Sequence, residues 1–215
     1  MSDRTEVLIE RLSREADPVR PLAPPHQRVA LWLALALPVL ALAVAAMGPR
    51  DDLAARLGEA RFLIEQGAAL LTAITAAFAA LVLATPGMDR RLALIPALPG
   101  AVWAGTLGLG CIADWMRAGA DGLRLTPEPA CLGYIVVIGI VPALVLVAML
   151  RRGVPLAPRA MLFLAGLAAA GLANFGLRLF HDTDAALMVL VWQFGSVLVF
   201  SGAAALVGRA VLERG

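Results

Sequence analysis

The sequence predicts an all-α membrane protein, a bundle of six transmembrane helices, and three observations predict it. Of 215 residues, 60% are apolar and 16% charged, with a mean hydropathy of +0.83, well above a soluble domain of this size. The apolar residues do not alternate with polar ones but run in six blocks. Each block is about 18 to 23 residues long, the length of helix that crosses about 30 Å of hydrocarbon at about 1.5 Å per residue. A soluble enzyme and a disordered chain are both excluded.

Residues 1–27 read as a cytosolic segment and residues 28–215 as the transmembrane domain. In the first segment Asp3 is placed to cap a helix with Glu6 three residues on, and Thr5, Leu8, Ile9, Leu12 and Ala16 fall on one face. Glu6, Glu10, Arg14 and Asp17 fall on the other, with Glu10 and Arg14 spaced as an i,i+4 pair. Pro18 ends this short amphipathic helix, and Val19 and Leu22 add apolar anchors to an extended stretch through Pro21, Pro24 and Pro25. So short a helix is marginal alone in water and needs something to lie against. Membrane binding favours a basic polar face, whereas residues 1–27 hold four arginines against five acids. A protein partner, the bilayer surface and the bundle's own loops all stay open.

The spans are expected at Val29–Met47, Phe62–Ala84, Leu92–Cys111, Ala130–Leu150, Ala160–Leu177 and Ala185–Val207. The acidic residues ahead of the first make a poor signal-peptide n-region, so that span is expected to be retained. With both termini cytoplasmic, twelve arginines fall inside, among them Arg28, Arg90, Arg91, Arg151, Arg152, Arg159 and Arg209; six fall outside, at Arg50, Arg56, Arg61, Arg117, Arg124 and Arg178. That asymmetry satisfies the positive-inside rule. Within the spans only Glu65, Gln66, Asn174, Gln193 and Ser196 stand out as polar, and Glu65 is placed to pair with Arg61. Transporters need relays of ionisable groups or broken helices near the midplane. Pro38, Pro96, Pro99 and Pro142 discriminate poorly, so a small transporter or a subunit of a larger complex is the alternative reading. Small residues at Gly100, Ala104 and Gly108, and at Gly166, Ala170 and Asn174, predict close helix packing.

A net charge of +2 over many short loops offers no basic stripe, so direct nucleic-acid binding is not expected. His26 and His181 lie outside the spans, against intramembrane haem. No nucleophile, Walker, zincin or dinucleotide motif occurs, so no catalytic residue and no enzyme are expected. Cys111 and Cys131 are expected near one outer surface, with His181, Asp182 and Asp184 in an outer loop. Three states stay open there: a disulfide, a soft or borderline metal held by thiolate and imidazole, or two small buried hydrophobes.

The order of features is familiar. A Leu8-Ile9-x-x-Leu12 helix and Asp17-Pro18-Val19-Arg20 precede six spans, Pro86-Gly87 follows the second, and Cys131 opens the fourth. Arg151-Arg152-Gly153-Val154-Pro155 closes the fourth, and a His181-x-x-Asp184 loop precedes Trp192. Over nearly the whole chain this set resembles the NrsF family of bacterial integral membrane anti-sigma factors. The resemblance implies an inner-membrane protein that binds an extracytoplasmic-function sigma factor and keeps it from RNA polymerase. Leu8, Ile9, Leu12, Val19 and Leu22 would then be apolar anchors in the partner's groove, with Arg11, Arg14 and Arg20 giving orientation. It also implies sensing of metal or oxidant by two outer cysteines. Cys131 matches the first position; at the second, where His-Cys is usual, this chain reads His181-Asp182, and the usual Trp-His reads Trp192-Gln193. Cys111 standing in for the second thiol, a mixed site of Cys131, His181 and Asp182, or another signal are the alternatives.

Overall fold

The structure, a computed structural model, describes residues 3–15, 22–125, 129–182 and 185–212. Described residues form helices and loops and no strand. Helix α1 covers Asp3–Glu15, α2 Pro25–Met47, the single turn α3 Leu53–Arg56, and α4 Ala60–Leu83. A 3-10 turn at Arg90–Leu94 leads into α5, Ala97–Ala118, and another at Gly119–Leu123 follows it. Helix α6 covers Pro129–Leu150, α7 Pro158–Phe180, α8 Ala186–Met188 and α9 Gly195–Leu212, the last two joined by a π-helical stretch at Val189–Phe194. Six of these stretches are long and apolar enough to cross a membrane.

The helix starts follow their prolines. Pro25 and Pro158 sit in the first turns of α2 and α7, where the missing N–H costs nothing. Helix α2 therefore begins four residues earlier than hydropathy placed it and carries Arg28 inside it, buried, with its guanidinium donating to Met149 O. The third span is where expectation and structure differ most. Pro96 and Pro99 delay the regular helix to Ala97, and the helix then runs on past Cys111 to Ala118. Asp114 does not end it, because its carboxylate is buried and accepts from Ala186 N at 3.2 Å. Gly119, at φ 60, stops it. Arg178, expected in an outer loop, lies inside α7 and is 5% exposed.

Helix α7 is the hub: it packs on α4, α6, α9 and α2. Both α4 and α7 bury alanines, Ala69, Ala73 and Ala76 on the first and Ala165, Ala168 and Ala173 on the second, and Gly171 of α7 lies against Ala69 and Ala73 of α4. Small side chains let backbones approach where lipid gives no hydrophobic drive between helices. A Cβ on Gly166 would lie 2.9 Å from Ser201 Cα, and one on Gly208 2.5 Å from Pro158 O, so α7 and α9 touch nearly backbone to backbone. The Gly166 packing expectation holds; Gly108 faces open space and its expectation does not. Trp32, fully buried, ties α2 to α6 by donating to Pro142 O at 2.9 Å. Where α4, α6 and α9 finish, Val154 N donates to Ala84 O and the Arg151 guanidinium to Val211 O.

Candidate functional site

Two regions carry the predicted site residues. The first is the end of the bundle where α2 and α7 finish and α6 begins. Cys131, in the first turn of α6 and 1% exposed, lies with Sγ 3.3 Å from Nε2 of His181, which follows the last turn of α7. Packing of α6 on α7 brings these residues together across 50 positions of sequence. The imidazole is well supported. Tyr134 packs its ring at 6.0 Å from that of His181 and stands edge-on to Phe180 at 5.4 Å. Arg50, just beyond α2, donates from Nη1 to His181 O at 3.1 Å and from its backbone N to Leu179 O at 3.1 Å. Its side chain, 2% exposed, is held in turn by Asp52. Hydrogen bonds from Arg50 above all, and from Arg56, hold the Asp52 carboxyl down to about 2.

The other predicted sensing residues stand apart. Both cysteines are free thiols, so the disulfide is not formed. Cys111 is half-buried in α5, in the electrostatic neighbourhood of Asp114, Arg61 and Glu65 rather than of Cys131 and His181. Asp182 is exposed and lines a polar cleft of about 570 Å³ with Arg50, Asp52 and Arg56; Asp184 lies outside the described residues. Among the described residues no three His, Cys, Asp or Glu side chains gather as metal ligands. The Cys131–His181 pair supplies one soft and one borderline donor, two of the four that a closed tetrahedral zinc site takes. The thiol is buried, with the imidazole nitrogen at hydrogen-bond distance from its sulfur.

Beside this pair the sequence reading missed a buried ion network. Glu65 accepts from Arg61 Nε at 2.8 Å, as its spacing predicted, and from Arg178 Nη2 at 3.1 Å, which it did not. Arg178 also lies over the Phe62 ring at 5.3 Å. Arg61 fits because residue 110 is glycine: a Cβ there would fall 1.9 Å from Arg61 Nη2.

The second region is α1. Val7, Leu8, Ile9 and Leu12 are all more than half exposed. Arg14 pairs with Glu10 at 2.6 Å, as expected, and Arg11 with Glu15 at 2.9 Å. Leu22 is half-buried, while Val19 and Arg20 lie outside the described residues. A short helix with adjacent leucine and isoleucine exposed offers an apolar surface to a partner.

The family model described as negative regulator of sigma F, NrsF, matches residues 12–213. The chain belongs to the NrsF family. No curated protein and no solved structure shows a significant match. The NrsF name implies a negative regulator of a sigma factor, and hence a sigma factor as partner. The NrsF match begins at Leu12, so it spans all six apolar helices and the Cys131–His181 pair but only the end of α1.

Proposed function

We propose that this NrsF-family chain holds an extracytoplasmic-function sigma factor at the inner membrane of a bacterium, through a cytosolic N-terminal segment, and releases it when the extracytoplasmic Cys131–His181 pair is altered. The observation that carries the reading is the exposed apolar face of α1, Leu8, Ile9 and Leu12, in a chain of this family. An amphipathic helix laid in a groove of the sigma factor buries those side chains, with Arg11 and Arg14 on its flank. Val19, Arg20 and Leu22 extend the contact towards the membrane. The orientation is supported by the arginine count, twelve against six, which favours α1 in the cytoplasm and, one span of α2 away, Arg50 and His181 outside.

The signal would act at Cys131. Its buried thiol has an imidazole at hydrogen-bond distance, so an oxidant or a soft metal ion of the thiol-seeking class that gains access there would meet a sulfur beside a base. With Cys111 elsewhere, this chain would respond through one thiol and one histidine.

Affinity purification from gently solubilised native membranes tests the binding half. The full chain is expected to bring down a sigma factor, and a chain lacking residues 1–24 to lose it. Leu8→Asp or Leu12→Asp should weaken retention by roughly tenfold or more, the loss expected of a central apolar anchor. If the truncated chain retains the sigma factor as well as the full chain does, the α1 reading fails. Sigma-dependent transcription in Cys131→Ser and His181→Ala strains, with and without oxidant or metal, tests the sensing half; unchanged responses remove both residues from it.

A further inference from the structure

Buried arginines at the two ends of the bundle are treated differently. At the His181 end Arg50 meets Asp52 and Arg178 meets Glu65. At the opposite end Arg28, 7% exposed in the first turns of α2, meets no carboxylate among the described residues. Its Nη2 donates to Met149 O in the last turn of α6, and its Nη1 is buried without a hydrogen-bond partner. A second cation stands at the same place. The backbone N of Arg152 donates to that same Met149 O, and the exposed Arg152 side chain is within electrostatic reach of Arg28. The C-terminus of α6 offers about half a negative charge, which leaves more than one positive charge uncompensated.

A buried cation without a counter-charge is costly, and the described residues bring none. The spot lies at the ends of α2 and α6, two helices long and apolar enough to cross a membrane, which is where the polar boundary of a bilayer spanned by them would fall. The anion in constant supply at that depth is the phosphate of a lipid headgroup. We propose that Arg28 and Arg152 form a binding site for the phosphate of an anionic phospholipid, seated between the start of α2 and the end of α6. Arg152 reaches the headgroup from the surface and Arg28 holds it from within. The described chain enters α2 from Leu22, six residues before Arg28, so an occupied site fixes where the N-terminal segment leaves the membrane. The inference rests on these two arginines and on membrane insertion, and it stands whether or not the partner is a sigma factor.

Native mass spectrometry of the full chain, purified in an uncharged detergent and offered phosphatidylglycerol, phosphatidylethanolamine or inorganic phosphate, tests it. Phosphatidylglycerol should be retained well above phosphatidylethanolamine, and retention should fall about fivefold in Arg152→Gln, as for one arginine at a lipid surface. Arg28→Gln should lower it at least as far and Arg28→Lys less, while Arg124→Gln, at an exposed arginine of the opposite end, should change nothing. Where Arg28→Gln does not fold, the surface variant Arg152→Gln decides alone. Equal retention of the two lipids, or an Arg152→Gln protein that binds as the parent does, overturns the proposal. Retention of inorganic phosphate without lipid assigns the site to a free anion and overturns the lipid as its ligand.

Discussion

Glu65 shows what a single buried carboxylate requires. It is 4% exposed, and Arg178, 5% exposed, supplies a hydrogen bond that Arg61 from the rim only supplements. Removing one member of a buried pair strands the other, at about 3–5 kcal/mol, whereas replacing both with apolar groups is far milder. Glu65→Met, which removes the carboxylate that both arginines share, is therefore expected to lower the thermal midpoint in detergent sharply, and Glu65→Met with Arg178→Met together to recover most of the loss; equal midpoints for single and double variants would refute the coupling. Arg61–Glu65 was legible because four residues on a helix is a fixed geometry. Arg178–Glu65 was not, since the two lie 113 positions apart and meet only through the register of α4 on α7. Gln193 carries the opposite lesson: it is fully buried and neither amide atom has a hydrogen-bond partner among the described residues. Gln193→Leu should raise stability by about 1–3 kcal/mol, read as a higher melting midpoint. Asp52 gives a pH prediction. Its carboxyl, lowered from 3.8 to about 2 by Arg50 and Arg56, contributes fully above the unfolded value, and the contribution is lost as pH falls through about 2. An NMR titration of Asp52 should find its midpoint well below that of a free aspartate.

At the scale of elements, apolar block length located all six spans, because crossing hydrocarbon leaves the chain little choice of length or backbone. The ends were less legible for a physical reason. Hydropathy treats Arg28 and Asp114 as boundary residues, yet both are buried inside helices, where Met149 O accepts from one Arg28 nitrogen and Ala186 N donates to the Asp114 carboxylate. Partners of that kind belong to other helices and leave no local signal. The π-helical stretch at Val189–Phe194 was likewise invisible, since it changes hydrogen-bond register without changing composition. The glycines of α9 separate packing from propensity in one helix. Gly208→Ala drives a Cβ to 2.5 Å from Pro158 O, a backbone atom, and should cost about 1–3 kcal/mol by parting α9 from α7. Gly202→Ala meets nothing within 4 Å and should be neutral or stabilising by up to about 1 kcal/mol. Thermal melting of the two variants side by side checks this, and equal midpoints would sink the close-contact account.

For the molecule as a whole, the sequence named Cys131 and His181 as candidates but left their relation to each other and to Cys111 open. Only the packing of α6 against α7 joins the first two and leaves Cys111 with Arg61 and Asp114. The proposed regulation also needs a route across the membrane, and α2 is the shortest. One of its ends adjoins Arg50, which grips His181 O and Leu179 O; the other adjoins the N-terminal segment. Between them Leu40 packs against Gly176 and Trp32 is bonded to α6. A change at His181 that loosens Arg50 would therefore act on the same helix that carries the proposed partner-binding segment, biasing two arrangements of one element. Arg50→Gln tests the coupling without touching the thiol, the imidazole or α1. Basal repression of sigma-dependent transcription should persist in this strain, while induction by oxidant or soft metal falls towards that of Cys131→Ser. Adding His181→Ala to Arg50→Gln should lower induction no further, because both act in one path. Full induction in the Arg50→Gln strain would break the link through α2 and move the search to α7, the other helix that adjoins His181 and packs on the rest of the bundle.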